Sequence, residues 1–409
     1  QEDFSLPISP NLSANRDELV PGKIVETLRL GRLVPEVYVY RDLIDALGRY
    51  GGYREGDWDN PAVNGDSDTY YVFPYDWRRD NVENARILVT RIERLKESLR
   101  RPDLRFNVIA HSMGGLIARY AAMYGTSDLP QVGLPIQPTW NGAQHIEKIV
   151  MLGVPNEGSA DAFATMLYGY SITEGLRRRV PLLNKLTAED ALTFPALFQL
   201  LPHRAATKFL NENLEVVQLN LYDPKVWREY GWGVVNDPEF RRKYANRKSA
   251  TGETQGETAL RELDDYFKAG LERAQRFHEA LDIPLAGDPP VTMLAVGGDC
   301  EETLDAPVLL KDKDGRWVTL IRPRELRVGG KKRFSKRQVT EAMYAPGDGR
   351  VTRRSLLGEN LTANSTSNGL RSPLTLSYAV FGCDLHGQLQ RNKMLQDNTL
   401  TALVSEVMR

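Results

Sequence analysis

The chain has 409 residues, of which 41% are hydrophobic and 26% charged, and its formal net charge is −1. This composition is typical of a globular protein and excludes a fibrous or disordered chain, and the near-zero charge provides no field that would attract nucleic acid. No apolar run approaches the roughly 18 residues of a membrane span, and the N-terminus lacks the charged-then-apolar pattern of a signal peptide. The two cysteines are too few for a disulfide scaffold or a zinc site, so we expect no metal.

The first 159 residues alternate between strand and helix patterns. Residues 1–36 are expected to be irregular, with a short hairpin through 23–34. The elements predicted after them are a helix over 37–50, a loop over 51–67, a strand over 69–73, a helix over 81–100, a strand over 106–110, a helix over 114–124 and a strand over 146–152. Strands that alternate with helices predict a mostly parallel sheet with crossover helices, and therefore an α/β fold.

The alternation stops at residue 160. Residues 160–290 are predicted to be helical and rich in loops, with an apolar stretch at 196–201 and charged stretches at 239–247 and 261–276. The elements predicted after this insertion are a strand over 291–296, a hairpin over 307–328 that turns at 314–315, a flexible loop over 360–368, a strand over 374–381 and a helix over 393–408. We therefore expect a core made of residues 1–159 and 291–409, and a helical cap made of residues 160–290.

A candidate nucleophile lies between the strand at 106–110 and the helix that follows it. Ser112 has a small residue two positions away on each side, Ala110 and Gly114, in the A-x-S-x-G variant of the nucleophile elbow. Such a turn exposes the serine hydroxyl and places the N–H of Met113 at a helix N-terminus, where it can donate to an oxyanion. The alternative is an ordinary strand-to-helix turn that contains a serine.

Two later residues complete the order serine, acid, histidine that this type of site uses. Asp348 lies in a Gly-Asp-Gly loop after the insertion, and His386 lies just past the last predicted strand. The alternatives are an ordinary turn for Asp348 and a surface loop for His386, and Asp384 is a second candidate for the acid. The other histidines fit less well: His145 starts a strand, His203 and His278 lie in the insertion, and His111 is expected to point away from the site.

Further motifs occur in a characteristic order. They are Tyr-Asp-Trp-Arg at 75–78, His-Ser-Met-Gly-Gly at 111–115 and Gly-Val-Pro-Asn-Glu-Gly-Ser at 153–159, followed by Asp-Gly-x-Val at 348–351 and the late His386. With them the chain resembles the lecithin:cholesterol acyltransferase-like family of α/β-hydrolases over roughly residues 70–390. The resemblance implies an α/β-hydrolase fold with a large helical cap inserted after the strand that follows the elbow. It also implies a serine lipase, esterase or acyltransferase that acts on lipid esters without a cofactor.

The chain departs from the family pattern at two places. In the family, an N-terminal strand ends in a glycine-rich loop that supplies a second oxyanion donor, whereas here the Val-Pro-Gly at 20–22 follows a polar segment. Either the first strand of the fold is missing from this sequence or the oxyanion hole is built differently, and we leave the second donor open. Asn-Glu at 156–157 replaces the aromatic residue and glycine of the eukaryotic sterol enzymes, which weakens any transfer of sterol specificity. For residues 75–78, a buried Asp–Arg pair and a packed Trp are favoured over substrate contact.

These observations predict a serine carboxylic ester hydrolase that acts through an acyl-enzyme. Ser112 attacks the ester, His386 moves the proton, Asp348 orients His386, and the N–H of Met113 contacts the oxyanion. Apolar residues of the insertion are expected to line an acyl pocket near Ser112, namely Met166, Leu167, Phe194 and Leu197; alternatively they pack only among themselves. Two other functions remain open, an acyltransferase that uses an alcohol as acceptor and a catalytically silent binding protein with the hydrolase fold.

The cysteines and the expected partners complete the sequence-based picture. Cys300 and Cys383 each follow a late strand, and a disulfide between them would tether the loop of His386; two free thiols are the alternative. Such a bridge, together with the family resemblance, favours a secreted or periplasmic protein. The expected partner is a lipid or another ester, with no nucleic acid, no transmembrane segment and only a transient contact with a membrane surface. The oligomeric state is left open.

Overall fold

A computed structural model describes residues 4–22, 27–28, 37–38, 40–62, 67–171, 185–247, 256–329, 332–359 and 372–405. Its helices are Arg41–Gly51, Asn81–Leu99, Met113–Tyr124, Ala160–Tyr168, Ala188–Leu192, Pro195–Phe198, Pro224–Tyr230, Pro238–Ala245, Gly256–Asp282, Lys336–Met343, Arg353–Leu357 and Lys393–Val404. Its strands are Thr27–Leu28, Val37–Tyr38, Arg54–Glu55, Thr69–Tyr70, Phe106–His111, Ile146–Leu152, Tyr170–Ser171, Lys185–Leu186, Phe209–Leu210, Val216–Val217, Thr292–Gly298, Glu301–Leu304, Val308–Lys311, Trp317–Leu320, Leu326–Val328, Lys332–Phe334, Tyr344–Gly347 and Leu376–Gly382.

Within the described residues, the central sheet has four strands, and all of them are parallel. Their spatial order is Leu376–Gly382, Thr292–Gly298, Ile146–Leu152 and Phe106–His111. Because parallel strands end at one edge of a sheet, the segments that follow the four strands meet at that edge, where α/β folds bind their ligands. The predicted α/β-hydrolase fold is confirmed.

Both faces of the two inner strands of this sheet are buried. In the strand Ile146–Leu152, Ile149 and Met151 belong to one apolar cluster, and Val150 and Leu152 belong to another. The first cluster includes the apolar faces of helices Asn81–Leu99 and Met113–Tyr124. The second includes residues of helices Arg41–Gly51 and Lys393–Val404. Side chains of a strand alternate between its faces, so a strand covered by helices on both sides reads as a continuous apolar run.

The inserted segment has an aromatic core of its own. Phe163, Phe198 and Trp227 are fully buried there, together with Leu263 and Leu271 of the long helix Gly256–Asp282. The C-terminal part of this helix packs against helix Met113–Tyr124 instead: Phe277 stacks on Tyr120, and the Tyr124 hydroxyl donates to the Ala280 carbonyl over 2.8 Å. One helix thus contributes to both cores.

The segment after residue 306 pairs with the insertion. Val308–Lys311 and Trp317–Leu320 form an antiparallel hairpin that turns at Gly315, as predicted, and Val308 pairs with Leu210 of the insertion. The hairpin ends earlier than the predicted residue 328. Leu326–Val328 pairs separately with Lys332–Phe334, because residues 322–324 (Arg-Pro-Arg) interrupt the strand pattern and proline cannot donate to a ladder.

Near the N-terminus two predicted boundaries were wrong. The helix predicted over 37–50 begins at Arg41, because Val37–Tyr38 forms a strand that pairs with Thr27–Leu28; β-branched and aromatic residues favour extended backbone there. The predicted strand over 69–73 is reduced to Thr69–Tyr70, which pairs with Arg54–Glu55. Most of the predicted hairpin at 23–34 and the predicted loop at 360–368 lie outside the described residues. No helix in the described part of the chain is both long and apolar enough to span a bilayer.

Candidate active site

Ser112 lies on a strained turn between strand Phe106–His111 and helix Met113–Tyr124. Its backbone has φ 53° and ψ −131°, a region that costs about 1–3 kcal/mol for a residue other than glycine. The turn is held by the Ser112 N–H, which donates to the carbonyl of Leu152 over 2.8 Å. The close approach of the helix requires glycine at Gly115, where a Cβ would lie 2.1 Å from Val154, whereas a Cβ at Gly114 would make ordinary contacts. The size constraint therefore falls on Gly115.

The side chains of Ser112, His386 and Asp348 form one hydrogen-bonded chain. His386 Nε2 lies 2.9 Å from Ser112 Oγ, and His386 Nδ1 lies 2.8 Å from Asp348 Oδ2. The His386 N–H also donates to the Asp348 carbonyl over 2.8 Å. The alternative acid, Asp384, accepts a hydrogen bond from Asn392 and does not join this chain. The structure therefore brings together the three residues that the sequence singled out.

The Asp348 carboxylate is stabilised in its charged form. Burial alone would raise the pKa of this carboxyl, but the His386 ring and the backbone N–H groups of Val351 and Arg350 outweigh that effect and hold the pKa below its usual range. Both N–H groups donate to Oδ1, over 2.8 and 3.0 Å, which leaves Oδ2 to accept from His386. A fixed negative charge at this point orients the imidazole and stabilises its protonated form.

His111 lies inside this site, contrary to our expectation that it points away. The Tyr40 hydroxyl donates to His111 Nδ1 over 2.9 Å, and His111 Nε2–H donates to the His386 carbonyl over 2.9 Å. Burial, followed by the nearby His386 charge, lowers the pKa of His111 to about 3, so its ring is neutral. His111 thus holds the main chain of the His386 loop. The only sequence signal was its position next to Ser112.

Two further features hold the His386 loop. Cys300 and Cys383 form the predicted disulfide, with a Cα–Cα distance of 5.3 Å that suits a bridge. Gly153, at φ +56°, lies directly behind the acid–histidine pair. A Cβ there would approach Asp348 Oδ2 and His386 Nδ1 to 3.0 Å each. Residue 153 must therefore be glycine, because its φ is positive and because no space is left for a Cβ atom.

Ser112 opens onto a cavity of about 250 Å³. Its lining residues are mostly aromatic or apolar: Tyr40, Tyr75, Trp77, His111, Ser112, Met113, Leu186, Phe194, Leu197 and Leu200. Phe194 and Leu197 were predicted from the sequence to lie here. Met166 and Leu167 were also predicted to lie here, but they are not among the lining residues. Their helix Ala160–Tyr168 directs them into the aromatic core of the insertion. Tyr40, Tyr75 and Leu186 were missed, and only Tyr75 stood in a motif.

The Tyr-Asp-Trp-Arg motif combines two roles. Arg78 donates to both carboxylate oxygens of Asp76, over 2.9 and 2.8 Å, and also pairs with Asp17, so the predicted buried pair is present. The hydrogen bond that Arg78 donates to Asp76 is the main cause that raises the pKa of Arg78. Trp77, in contrast, is 49% exposed, lines the cavity and contacts the ring of Phe194. The sequence predicted a packed Trp beside the site; Trp77 does contact Phe194, but it is half exposed and also lines the cavity.

The helix that begins beside Ser112 offers a site for negative charge in the cavity. Helix Met113–Tyr124 begins beside Ser112, and the first N–H groups of a helix carry partial positive charge and lack intrahelical acceptors. Among the described residues, no group of three or more His, Cys, Asp or Glu side chains is arranged to hold a metal ion. The geometry can therefore activate a serine hydroxyl and stabilise an anion beside it.

Comparison with known proteins matched one family model and 19 chains of solved structures. The model of the family lecithin:cholesterol acyltransferase matches residues 25–263, which is more than half of the chain. The crystal structure of a Tle4-Tli4 complex contains a chain with 14% identity, a TM-score of 0.49 and a match over 83% of this chain and 70% of that one. EstA from Clostridium botulinum has 15% identity, a TM-score of 0.27 and a match over 75% of this chain and 66% of its own. No curated protein sequence matches the chain.

Proposed function

Because the chain belongs to the lecithin:cholesterol acyltransferase family, we propose that it is a serine carboxylic ester hydrolase for lipid-like esters. Family membership supports a lipid ester hydrolase or acyltransferase in general. The observation that carries the narrower proposal is the hydrogen-bonded chain from Asp348 through His386 to Ser112, which ends at an apolar cavity. We assign the catalytic roles to these three residues.

The reaction follows from the order of these contacts. Ser112 Oγ attacks the carbonyl carbon of the ester while His386 Nε2 takes the hydroxyl proton, and the charge moves to the carbonyl oxygen. The tetrahedral intermediate then collapses: the ester C–O bond breaks, and His386 returns the proton to the leaving alcohol. Water attacks the acyl-enzyme in the same way, which releases the carboxylic acid and restores Ser112. Asp348 stabilises the His386 cation in both halves.

The Met113 N–H donates to the oxygen that becomes negative. It lies at the start of helix Met113–Tyr124, directly after the nucleophile, where the helix dipole favours an anion. Removing one donor of this kind costs other serine hydrolases about 2.7–4 kcal/mol of barrier. A single donor therefore accounts for only part of the stabilisation that such a site needs.

The lining and the volume of the cavity support an acyl group as the part of the substrate that it binds. It is lined by Phe194, Leu197, Leu186 and Leu200, and its volume of about 250 Å³ is below the roughly 300–1,000 Å³ of pockets that enclose a whole small ligand. We infer that it takes the acyl group and leaves the head group outside. Residues 1–159 and 291–409 would then be the catalytic core, and residues 160–290 a cap whose Phe194 and Leu197 cover Ser112.

Two measurements test this proposal. Hydrolysis of p-nitrophenyl esters from short to long chains should show activity that Ser112→Ala abolishes, and a fluorophosphonate probe should label wild type but not the variant. A wild type that neither hydrolyses any ester nor reacts with the probe would refute the proposal and favour a binding protein.

The acyltransferase alternative is favoured by the family itself, and product analysis separates it from the hydrolase. With a lipid ester and an added long-chain alcohol, a hydrolase releases the free acid. A transferase yields the new ester as the main product.

A further inference from the structure

The Met113 N–H is one donor to the oxyanion, and a second donor has not yet been assigned. The candidate for it is a residue of the Tyr-Asp-Trp-Arg motif. On the premise of the serine hydrolase chemistry above, we propose that the Tyr75 hydroxyl is the second oxyanion donor, beside the N–H of Met113. The hydroxyl keeps its proton throughout and forms a hydrogen bond to the oxygen that becomes negative.

The position of the hydroxyl supports this role. Tyr75 lines the same cavity as Ser112 and Met113. Its oxygen lies 3.5 Å from the point where a Cβ on Gly114 would stand, so it lies beside the first turn of helix Met113–Tyr124. The N–H groups of that turn lack intrahelical acceptors. The phenol O–H and the Met113 N–H therefore approach the same small region next to Ser112.

Of the two tyrosines in the cavity, Tyr75 has its proton available. The Tyr40 hydroxyl donates to His111 Nδ1 over 2.9 Å and is thereby engaged. For Tyr75, no hydrogen bond of the hydroxyl occurs within the part of the chain that the structure describes. A polar group that lines an otherwise apolar cavity without a protein partner is placed to bind a polar atom of the substrate.

The ring of Tyr75 is also held in place. It stacks on Phe73 with 6.1 Å between ring centroids. The next residue, Asp76, is fixed by its two bonds to Arg78, and its carbonyl accepts from Asn84 over 2.9 Å. Donors that are preorganised in this way need little rearrangement when the negative charge develops, and this makes them effective.

The protonation state suits a donor. Burial, with a smaller contribution from Tyr40, raises the pKa of Tyr75 well above its usual value. The side chain is therefore a neutral phenol at neutral pH, whereas a phenolate would repel the oxyanion.

Residues 20–22, whose Val-Pro-Gly only looks like the glycine-rich loop of the family, do not supply a donor here. Val20 is 84% exposed, and a Cβ on Gly22 would meet nothing within 4 Å. Residues 20–22 do not line the cavity.

The test compares Tyr75→Phe with wild type, Ser112→Ala and Tyr168→Phe. Tyr75→Phe keeps the stacked ring and removes only the hydroxyl. Tyr168→Phe is the matched control, because its hydroxyl donates to the Thr319 carbonyl outside the cavity. Turnover of p-nitrophenyl butyrate is measured per active site, counted by end-point fluorophosphonate labelling, so that misfolded molecules do not enter the rate. Inhibition is measured with a trifluoromethyl ketone, whose serine adduct carries an oxyanion, and with an unreactive ether analogue.

We expect Tyr75→Phe to lower kcat by about 100-fold or more, with KM within about twofold, since this is the loss found for a single oxyanion donor. The ketone should bind weaker by a similar factor and the ether equally well, while Tyr168→Phe stays at wild-type rates. A kcat within threefold of wild type, or a lower kcat with unchanged ketone binding, overturns the proposal for Tyr75. A wild type that neither turns over nor labels refutes the hydrolase function itself, and the Tyr75 proposal with it.

Discussion

Gly153 offers a sharp test of how the acid–histidine pair is positioned. It follows strand Ile146–Leu152 at φ +56°, and a methyl group there would lie 2.8 Å from Leu389, 3.0 Å from Asp348 Oδ2 and 3.0 Å from His386 Nδ1. An ordinary contact begins at 3.4 Å, so Gly153→Ala must displace each of these atoms by several tenths of an ångström. The hydrogen bond that joins the pair is 2.8 Å long and cannot absorb that shift without a change in geometry.

Two effects of Gly153→Ala are expected. The positive φ costs about 1–2 kcal/mol for an alanine, and crowding adds to that figure. Because a misplacement of about 1 Å costs on the order of 100-fold in rate, a shift of several tenths should lower kcat by about 10-fold or more. Gly231→Ala is the matched control, because Gly231 has φ +65° and nothing within 4 Å of its Cβ position. Gly231→Ala should lower only the free energy of unfolding and leave kcat unchanged.

The assay combines urea denaturation with ester hydrolysis per labelled active site. The reasoning is refuted if Gly153→Ala loses no more stability than Gly231→Ala and keeps kcat within twofold of wild type. An equal loss of kcat in Gly153→Ala and Gly231→Ala would also contradict the reasoning, because Gly231 follows helix Pro224–Tyr230 and does not line the cavity.

Three other predictions follow from the site. Ser112→Ala should lower kcat by several orders of magnitude and leave the free energy of unfolding unchanged. Adding His386→Ala should lower kcat little further, because the members of a triad act as a unit. Burst and steady-state kinetics check both expectations. Asp348→Asn should lower kcat by about 10⁴-fold. The pKa of Asp348 in the folded protein is below its unfolded value of about 3.9, so its charge stabilises the fold above that pH. The difference in unfolding free energy between wild type and Asp348→Asn should therefore shrink as the pH falls below about 4. Denaturation at several pH values measures this difference, and a constant difference would contradict the prediction. Replacing Cys300 and Cys383 with alanine opens a link between residues 83 positions apart and should cost about 2–5 kcal/mol of stability, measured by denaturant unfolding with and without reductant.

The sheet and the order of the site residues were predictable because their signals are local. The strands around Ile149 and Ala110 read as apolar runs, which is what burial on both faces requires. Ser112 was found from the small residues around it, and Asp348 and His386 from their places after the insertion and after the last strand. The boundary error at Arg41 has a local cause as well, since the run Val37–Tyr40 suits a strand as well as a helix.

The sequence by itself therefore determined the α/β class, and it also pointed to the three residues proposed for catalysis; the insertion after residue 159 stays a prediction. Only the tertiary structure decided which side chains surround Ser112. Met166 and Leu167 were as apolar as Phe194 and Leu197, yet their helix turns them into a different core. The neutral state of His111 depends on its burial, and the role proposed for Tyr75 depends on its distance from Gly114. Composition and periodicity report whether a residue is buried; which partners it meets is set by packing between segments far apart in the chain.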